Sequence, residues 1–293
     1  MRNKLALSIL AAASVVILAI PAQSQIVRNT QTFKTPAGDI KFTPIYHPAT
    51  LIQANGKNIY LDPYSQGDLS GLPPADLILI THTHGDHLDP RAVSTLSKPE
   101  TEIWGPWIIT QTLPKTKVIS NGDVKTWDKF TIEAMPAYNI VNGNRHVKGA
   151  FNGYIITYGG MRIYFSGDTE DIPEMRALKN IDLAFVCMND ATMPASKAAD
   201  AVKEFKPKVM IPYHYRNSDL NLFAKILEGT GVEVRIIDYY PWYAQPQPPS
   251  PASPNAAPVR YYGGTPQVGL PPPPTAPAAP ARGGQGGGPA TAR

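Results

Sequence analysis

Residues 78–90 read ILITHTHGDHLDP, and His82, His84 and His87 fall within six positions of a chain that has six histidines in all. A hydrophobic core does not call for such a cluster, because imidazoles titrate near neutrality and are costly to bury unpaired. Ligands converging on a cation do call for it. His82 and His84 are two apart, so an extended segment points both the same way. Gly85 permits a tight bend, which brings Asp86 and His87 round to the other side of a common point. The spacing suits two adjacent cations, with His82 and His84 on one and Asp86 and His87 on the other. Imidazole together with carboxylate suits zinc, with Mn2+ or Fe2+ as alternatives. H-x-H-x-D-H has little chance of arising at random in this composition.

Such a loop needs a rigid support. The run ADLILI immediately before it is continuous and apolar, as expected of a strand buried on both faces. Asp89-Pro90 after it reads as a helix N-cap followed by proline at the first helical position. TLIQANGKNIYLDP carries two short β-type runs around Asn55-Gly56, a type I′ hairpin signal. GYIITYGGMRIYFSGDT reads as a second hairpin turning at Gly159-Gly160. Ala198, Ala201, Val202 and Phe205 recur at helical spacing, and KVMIPYHY follows as another buried strand. Leu220, Phe223 and Leu227 mark a last helix before the strand VEVRIID. Hairpins early and strand–helix–strand later predict sheets covered by helices; no internal repeat is visible.

T-H-x-H-x-D-H at 81–87 resembles the signature of the metallo-β-lactamase superfamily. The resemblance spans roughly residues 47–238 and implies an α/β fold, a single αββα sandwich with a metal site along one edge of its two sheets. It also implies further ligands: Asp168 in YFSGDT, bridging two metals; His214 in MIPYHY; and His146 in PAYNIVNGNRHVKG, which looks like a subgroup where PAYN precedes a His-x-Lys-Gly loop. The implied metal ligands are therefore His82, His84, Asp86, His87, His146, Asp168 and His214. Asp62, in YLDP, resembles an aspartate that supports the histidine loop through hydrogen bonds; it also suits a turn before Pro63. His47, in YHPAT, looks like a position near the site mouth. His47, Tyr138, Asn139, Asn189 and Tyr213 are the candidate substrate contacts.

The resemblance implies a metal-dependent hydrolase holding two Zn2+ per chain. Two ions about 3.5–4 Å apart share a bridging hydroxide that exists at neutral pH and attacks a carbonyl carbon or phosphorus. Asp86, the candidate catalytic residue, orients that nucleophile or carries a proton. A bridging aspartate looks more like the phosphodiesterase, lactonase and thioesterase members than the β-lactamases. TMPASKAADAV and PAYN resemble the sugar-phosphate lactonases and phospholipase D-type members. The expected substrate is a small ester, lactone or phosphodiester. Three alternatives stay open: an iron-dependent oxidoreductase of the same superfamily, a β-lactamase, and a metal-binding protein without turnover.

The ends of the chain differ from its middle. Residues 1–24 read as a signal peptide: Arg2 and Lys4, an uncharged apolar run over 5–20, then Pro21 and small residues at Ala22 and Ser24. Cleavage is expected near Ser24, giving an exported protein, periplasmic or secreted, with no stable membrane span; an uncleaved anchor is the other reading, for which the run is short. Residues 244–293 are Pro, Ala and Gly-rich and read as a disordered tail, leaving 25–243 as the hydrolase domain. The formal charge is +4, but Arg2, Lys4, Arg260, Arg282 and Arg293 lie in those ends. Without those five of the 27 basic residues, 22 face 23 acidic ones, so nucleic acid is not an expected partner. The partner is a small-molecule substrate; the oligomeric state is open. Cys187, the sole cysteine, has no intramolecular disulfide partner and is expected to be buried.

Overall fold

The structure is a computed structural model and describes residues 28–141, 143–189 and 192–240, with the backbone of 260–262. The expected signal segment lies outside the described residues, as does the expected tail except for those three. The chain builds two sheets in strict order. In the first, β1 (Gln31–Phe33), β2 (Ile40–Tyr46), β3 (Ala49–Ala54) and β4 (Lys57–Leu61) form an antiparallel meander. β5 (Ala75–Leu79), β6 (Ser97–Gly105) and β7 (Lys117–Val118) extend it in parallel.

The second sheet repeats the plan. β8 (Val124–Trp127), β9 (Phe130–Pro136), β10 (Asn152–Tyr158) and β11 (Met161–Phe165) are antiparallel. β12 (Leu183–Cys187), β13 (Val209–Tyr213), β14 (Glu233–Ile237) and β15 (Arg260–Tyr262) continue in parallel. β15 thus places three residues of the segment set aside as tail on a sheet edge.

Local sequence explains the elements. Asn55 and Gly56 both take positive φ, 52° and 68°, the pair of values a type I′ turn requires. Asp89 caps α1 (Pro90–Leu96) by accepting from the Arg91 and Ala92 amides. α2 (Pro173–Arg176), α3 (Ala195–Phe205) and α4 (Leu220–Leu227) connect the parallel strands of the second sheet, as parallel pairing demands a crossover. α3 buries Ala198, Ala201, Val202 and Phe205, and Phe205 meets Tyr164 of β11 edge-on.

Between the sheets, Phe42 of β2 packs against Phe165 and Phe185 at 6.3 and 5.3 Å between ring centroids. Helix, sheet, sheet and helix thus form one α/β sandwich around one core. Cys187 is buried in that core. The parallel strands β12 and β13 end level, Cys187 beside Tyr213, and β11 ends two residues short of them, Phe165 beside Phe185. The loops after them open on one edge, where α/β folds bind ligands. The Thr81 carbonyl, just past β5, accepts from the Asn152 amide of β10, which ties the end of β5 to the second sheet. No helix among the described residues is long and apolar enough to cross a membrane.

Candidate metal centre

The loop after β5 bends without help from Gly85, whose φ is not positive. Instead the His84 carbonyl accepts from the amides of His87 and Leu88 at 2.9 and 2.8 Å, a single helical turn. It carries His82 and His84 to one side and Asp86 and His87 to the other, as the spacing predicts.

His82 Nε2 lies 3.1 Å from His84 Nδ1, and His84 Nδ1 lies 3.2 Å from His146 Nε2. His146 comes from the loop between β9 and β10, and its Nε2 is 3.7 Å from Asp168 Oδ2. These four donor atoms lie within 4.8 Å of one another. Ligand bonds of about 2.0–2.1 Å in a tetrahedron put neighbouring donors about 3.3 Å apart, so the residues fit one metal ion. The other oxygen of Asp168 faces a second group. Oδ1 is 3.5 Å from His87 Nε2 and 3.7 Å from His214 Nε2, and His214 Nε2 is 3.4 Å from Asp86 Oδ2. His87 Nε2, His214 Nε2 and Asp168 Oδ1 are buried and have no hydrogen-bond partner. Orphaned donor atoms of this kind are costly unless a ligand satisfies them.

The Nδ1 atoms of His82, His87 and His146 are committed elsewhere. Asp62 Oδ2 accepts from the Thr81 hydroxyl at 2.7 Å and from His87 Nδ1 at 2.8 Å, while Oδ1 accepts from the Thr81 amide at 2.7 Å. Thr81 Oγ1, its proton given to Asp62, accepts from His82 Nδ1 at 2.9 Å. Asn139 Oδ1 accepts from His146 Nδ1 at 2.7 Å. Each contact fixes the tautomer that turns Nε2 of His82, His87 and His146 inward, as metal-binding histidines need.

At the first group, charge agrees with that arrangement. Burial lowers His82 well below the usual imidazole range, brings His146 down to about 4, and lowers His84. Those rings are neutral lone-pair donors. Burial also opposes charge on His87, but Asp168 and Asp62 overcome it and raise His87 to about 9. Asp168 stays anionic despite burial because of the surrounding imidazoles, His214 and His87 first.

Of the candidate substrate contacts, only Asn189 lines the cavity of about 370 Å³ that opens over the cluster. His47 sits beside it, with Nε2 2.9 Å from Asp86 Oδ2 and its ring stacked 3.9 Å from that of His214. Tyr138 is a correction: its hydroxyl donates to Glu174 at 2.8 Å and accepts from Lys148, outside the cavity. Asn139 orients His146 rather than facing substrate. Tyr213 is a further correction. Every residue of β13 is buried, so its side chain enters the core against Phe165 and Phe185.

Sequence reasoning missed three residues. Arg216 Nη2 lies 3.0 Å from both Asp86 Oδ2 and His47 Nε2. The Tyr240 hydroxyl accepts from the Arg216 amide and bonds His47 Nδ1. His47 thus meets Tyr240 through Nδ1 and both Asp86 and Arg216 through Nε2. Arg145 lines the cavity beside His84. A charged residue two places after His214 was the available signal for Arg216; Tyr240, 193 positions from His47, had none.

A family model described as a beta-lactamase superfamily domain matches residues 41–214, a span containing all seven clustered residues. The chain belongs to the metallo-β-lactamase superfamily. It is 30% identical over 213 residues to a UPF0173 metal-dependent hydrolase of Lysinibacillus sphaericus, covering 64% of this chain and 92% of that one. A UPF0173 metal-dependent hydrolase of Thermococcus onnurineus is 31% identical over 201 residues, covering 62% and 89%. Among solved structures, this superfamily member resembles a candidate metal-dependent hydrolase of Parabacteroides distasonis, with TM-score 0.70, 42% identity, and 72% and 98% coverage. The metallo hydrolase Igni18 of Ignicoccus hospitalis follows with TM-score 0.58, 25% identity, and 67% and 94% coverage.

Proposed function

We propose that this chain, a metal-dependent hydrolase of the metallo-β-lactamase superfamily, holds two zinc ions and cleaves a small ester, lactone or phosphodiester. The observation that carries the reading is Asp168: Oδ2 faces the His82, His84 and His146 group while Oδ1 faces His87 and His214. Metal held there would supply Lewis acidity and lower the pKa of a bound water to about 7.

The chain's own groups do the rest. Burial works against charge on Asp86, but His214 and His47 hold its carboxyl far below the usual range. Asp86 is therefore an anion at neutral pH, placed to orient the attacking water or take its proton. His47 Nε2 steadies that carboxylate at 2.9 Å, and Tyr240 holds the other side of the His47 ring through Nδ1. A side chain held from both ends in this way needs little reorganisation as the reaction proceeds. The apolar run over 5–20 further supports export with cleavage near Ser24, which the mass of the mature protein tests.

Purified protein should carry about two metal equivalents by elemental analysis and hydrolyse bis-p-nitrophenyl phosphate, p-nitrophenyl esters or lactones faster than nitrocefin. Absence of bound metal, with no activation by added zinc or manganese, would sink the reading.

A further inference from the structure

Among the described residues, the cavity over the metal cluster has no aliphatic side chain in its lining and no aromatic ring besides the imidazoles of His84 and His214. Small-molecule sites are ordinarily lined mostly by apolar groups with a few polar ones, so this wall offers little to an acyl chain or an aromatic ring. Beyond the clustered histidines and aspartates it presents Arg145, Asn189, Arg216, Asn217 and Ser218. We infer that Arg145, Arg216 and the Ser218 hydroxyl form an anion subsite, and that the substrate is a small polar ester or lactone bearing a carboxylate or phosphate separate from the bond that is cleaved. This rests on the proposed hydrolase reading.

Three observations carry it. Ser218 is 5% exposed, lines the cavity, and its Oγ is buried without a hydrogen-bond partner; a buried hydroxyl in that state lacks an acceptor. Arg145 makes no hydrogen bond or ion pair with any described residue. It lines the cavity together with His84, Asp168 and Ser218. A guanidinium beside a cation site weakens cation binding unless an anion arrives to offset it. Arg216 is held in left-handed backbone, φ 43°, which is unfavourable for a residue with a side chain. The Tyr240 hydroxyl, accepting from its amide at 3.1 Å, holds that conformation. Strain retained at a site of this kind marks a constrained presentation. The contacts of Arg216 with Asp86 and His47 use Nη2 alone, and the fork keeps further donors for a carboxylate or phosphate.

The test uses zinc-loaded full-length protein and matched substrate pairs: γ-butyrolactone against its 5-carboxylate, and p-nitrophenyl acetate against mono-p-nitrophenyl succinate. A phosphorylated lactone distinguishes the two anions. Wild-type kcat/KM should favour the anionic member by at least about tenfold, mainly through KM. The ratio should fall toward one in the double variant Arg145→Gln, Arg216→Gln. Arg216→Lys with Arg145 intact should keep most of it. Equal ratios in wild type and double variant overturn the subsite. If the metal-loaded protein turns over no member of either pair, the hydrolase reading of substrate fails. The subsite is then read by calorimetry with glutarate, where metal contributes equally to both proteins. Binding about tenfold weaker in the double variant supports it; equal or absent binding in both overturns it.

Discussion

Asp62 accepts the Nδ1 proton of His87 at 2.8 Å in a position with no solvent exposure. The same carboxylate takes both the amide and the hydroxyl of Thr81, so one buried side chain sets the orientation of His87 directly and of His82 through Thr81.

Asp62→Ala therefore strands three buried donors. Each unsatisfied group costs about 1–3 kcal/mol, and loss of such orienting contacts lowers metal affinity about 10–100-fold. Urea unfolding of the metal-free variant and a zinc competition titration measure the two effects separately. Unchanged zinc affinity would mean that His87 and His82 do not depend on this residue.

Asp168→Ala removes one oxygen from each group. His82, His84 and His146 can still hold one zinc, since three imidazoles and a water complete a tetrahedron. The variant should keep about one metal per chain, lose activity by orders of magnitude, and fold. Two retained equivalents with near-full turnover would reduce Asp168 to a turn residue.

The pH dependence of the metal-free protein follows from the imidazoles. His146 and His47, brought down to about 4 and about 3 chiefly by burial, stay neutral in the fold while the unfolded chain takes up protons at about 6.5. The unfolded state then binds more protons, so stability falls as pH drops from about 6.5 toward 4. His87, raised to about 9, acts oppositely: its contribution is full below about 6.5 and is lost as pH rises through 9. Asp86 and Asp168, both lowered, lose their contribution only below the acidic end of this window. Urea midpoints after chelation should peak near pH 6.5. A midpoint rising steadily down to pH 4 contradicts the assignment.

Gly167 precedes Asp168 at φ 60°, and a Cβ there would stand 2.7 Å from the Asn152 carbonyl. Gly167→Ala meets both a left-handed backbone, unfavourable by about 1–2 kcal/mol, and a backbone clash that side-chain motion cannot relieve. Melting temperature and metal content should fall together. A variant that melts lower yet binds metal as tightly would show that Asp168 tolerates movement of its support.

Much of the site is readable in the sequence because its ligands sit where strands end. His82–His87 form one contiguous loop, and Asp168 and His214 each follow a recognisable strand. The hairpins at Asn55-Gly56 and Gly159-Gly160 are readable because positive φ is written in residue type. Tyr213 was misread because neighbours on a strand buried on both faces enter the core, however near they stand to a ligand. Tyr240 is not legible because it meets His47 only where the segment after β14 reaches the end of β2, with the Tyr239 carbonyl accepting from the His47 amide. Gly85 was given the wrong reason: the bend it occupies is an ordinary helical turn that needs no left-handed residue.

The duplicated plan of the two sheets has a consequence for when the protein becomes active. His82, His84, Asp86 and His87 belong to the first half of the chain, and His146, Asp168 and His214 to the second. The second group needs His214, which follows β13 late in the described chain, so a chain not yet folded past β13 cannot assemble both groups. Capture of a full pair of metal ions is thus a late event that reports folding of both sheets, and a polypeptide still extended carries no complete centre.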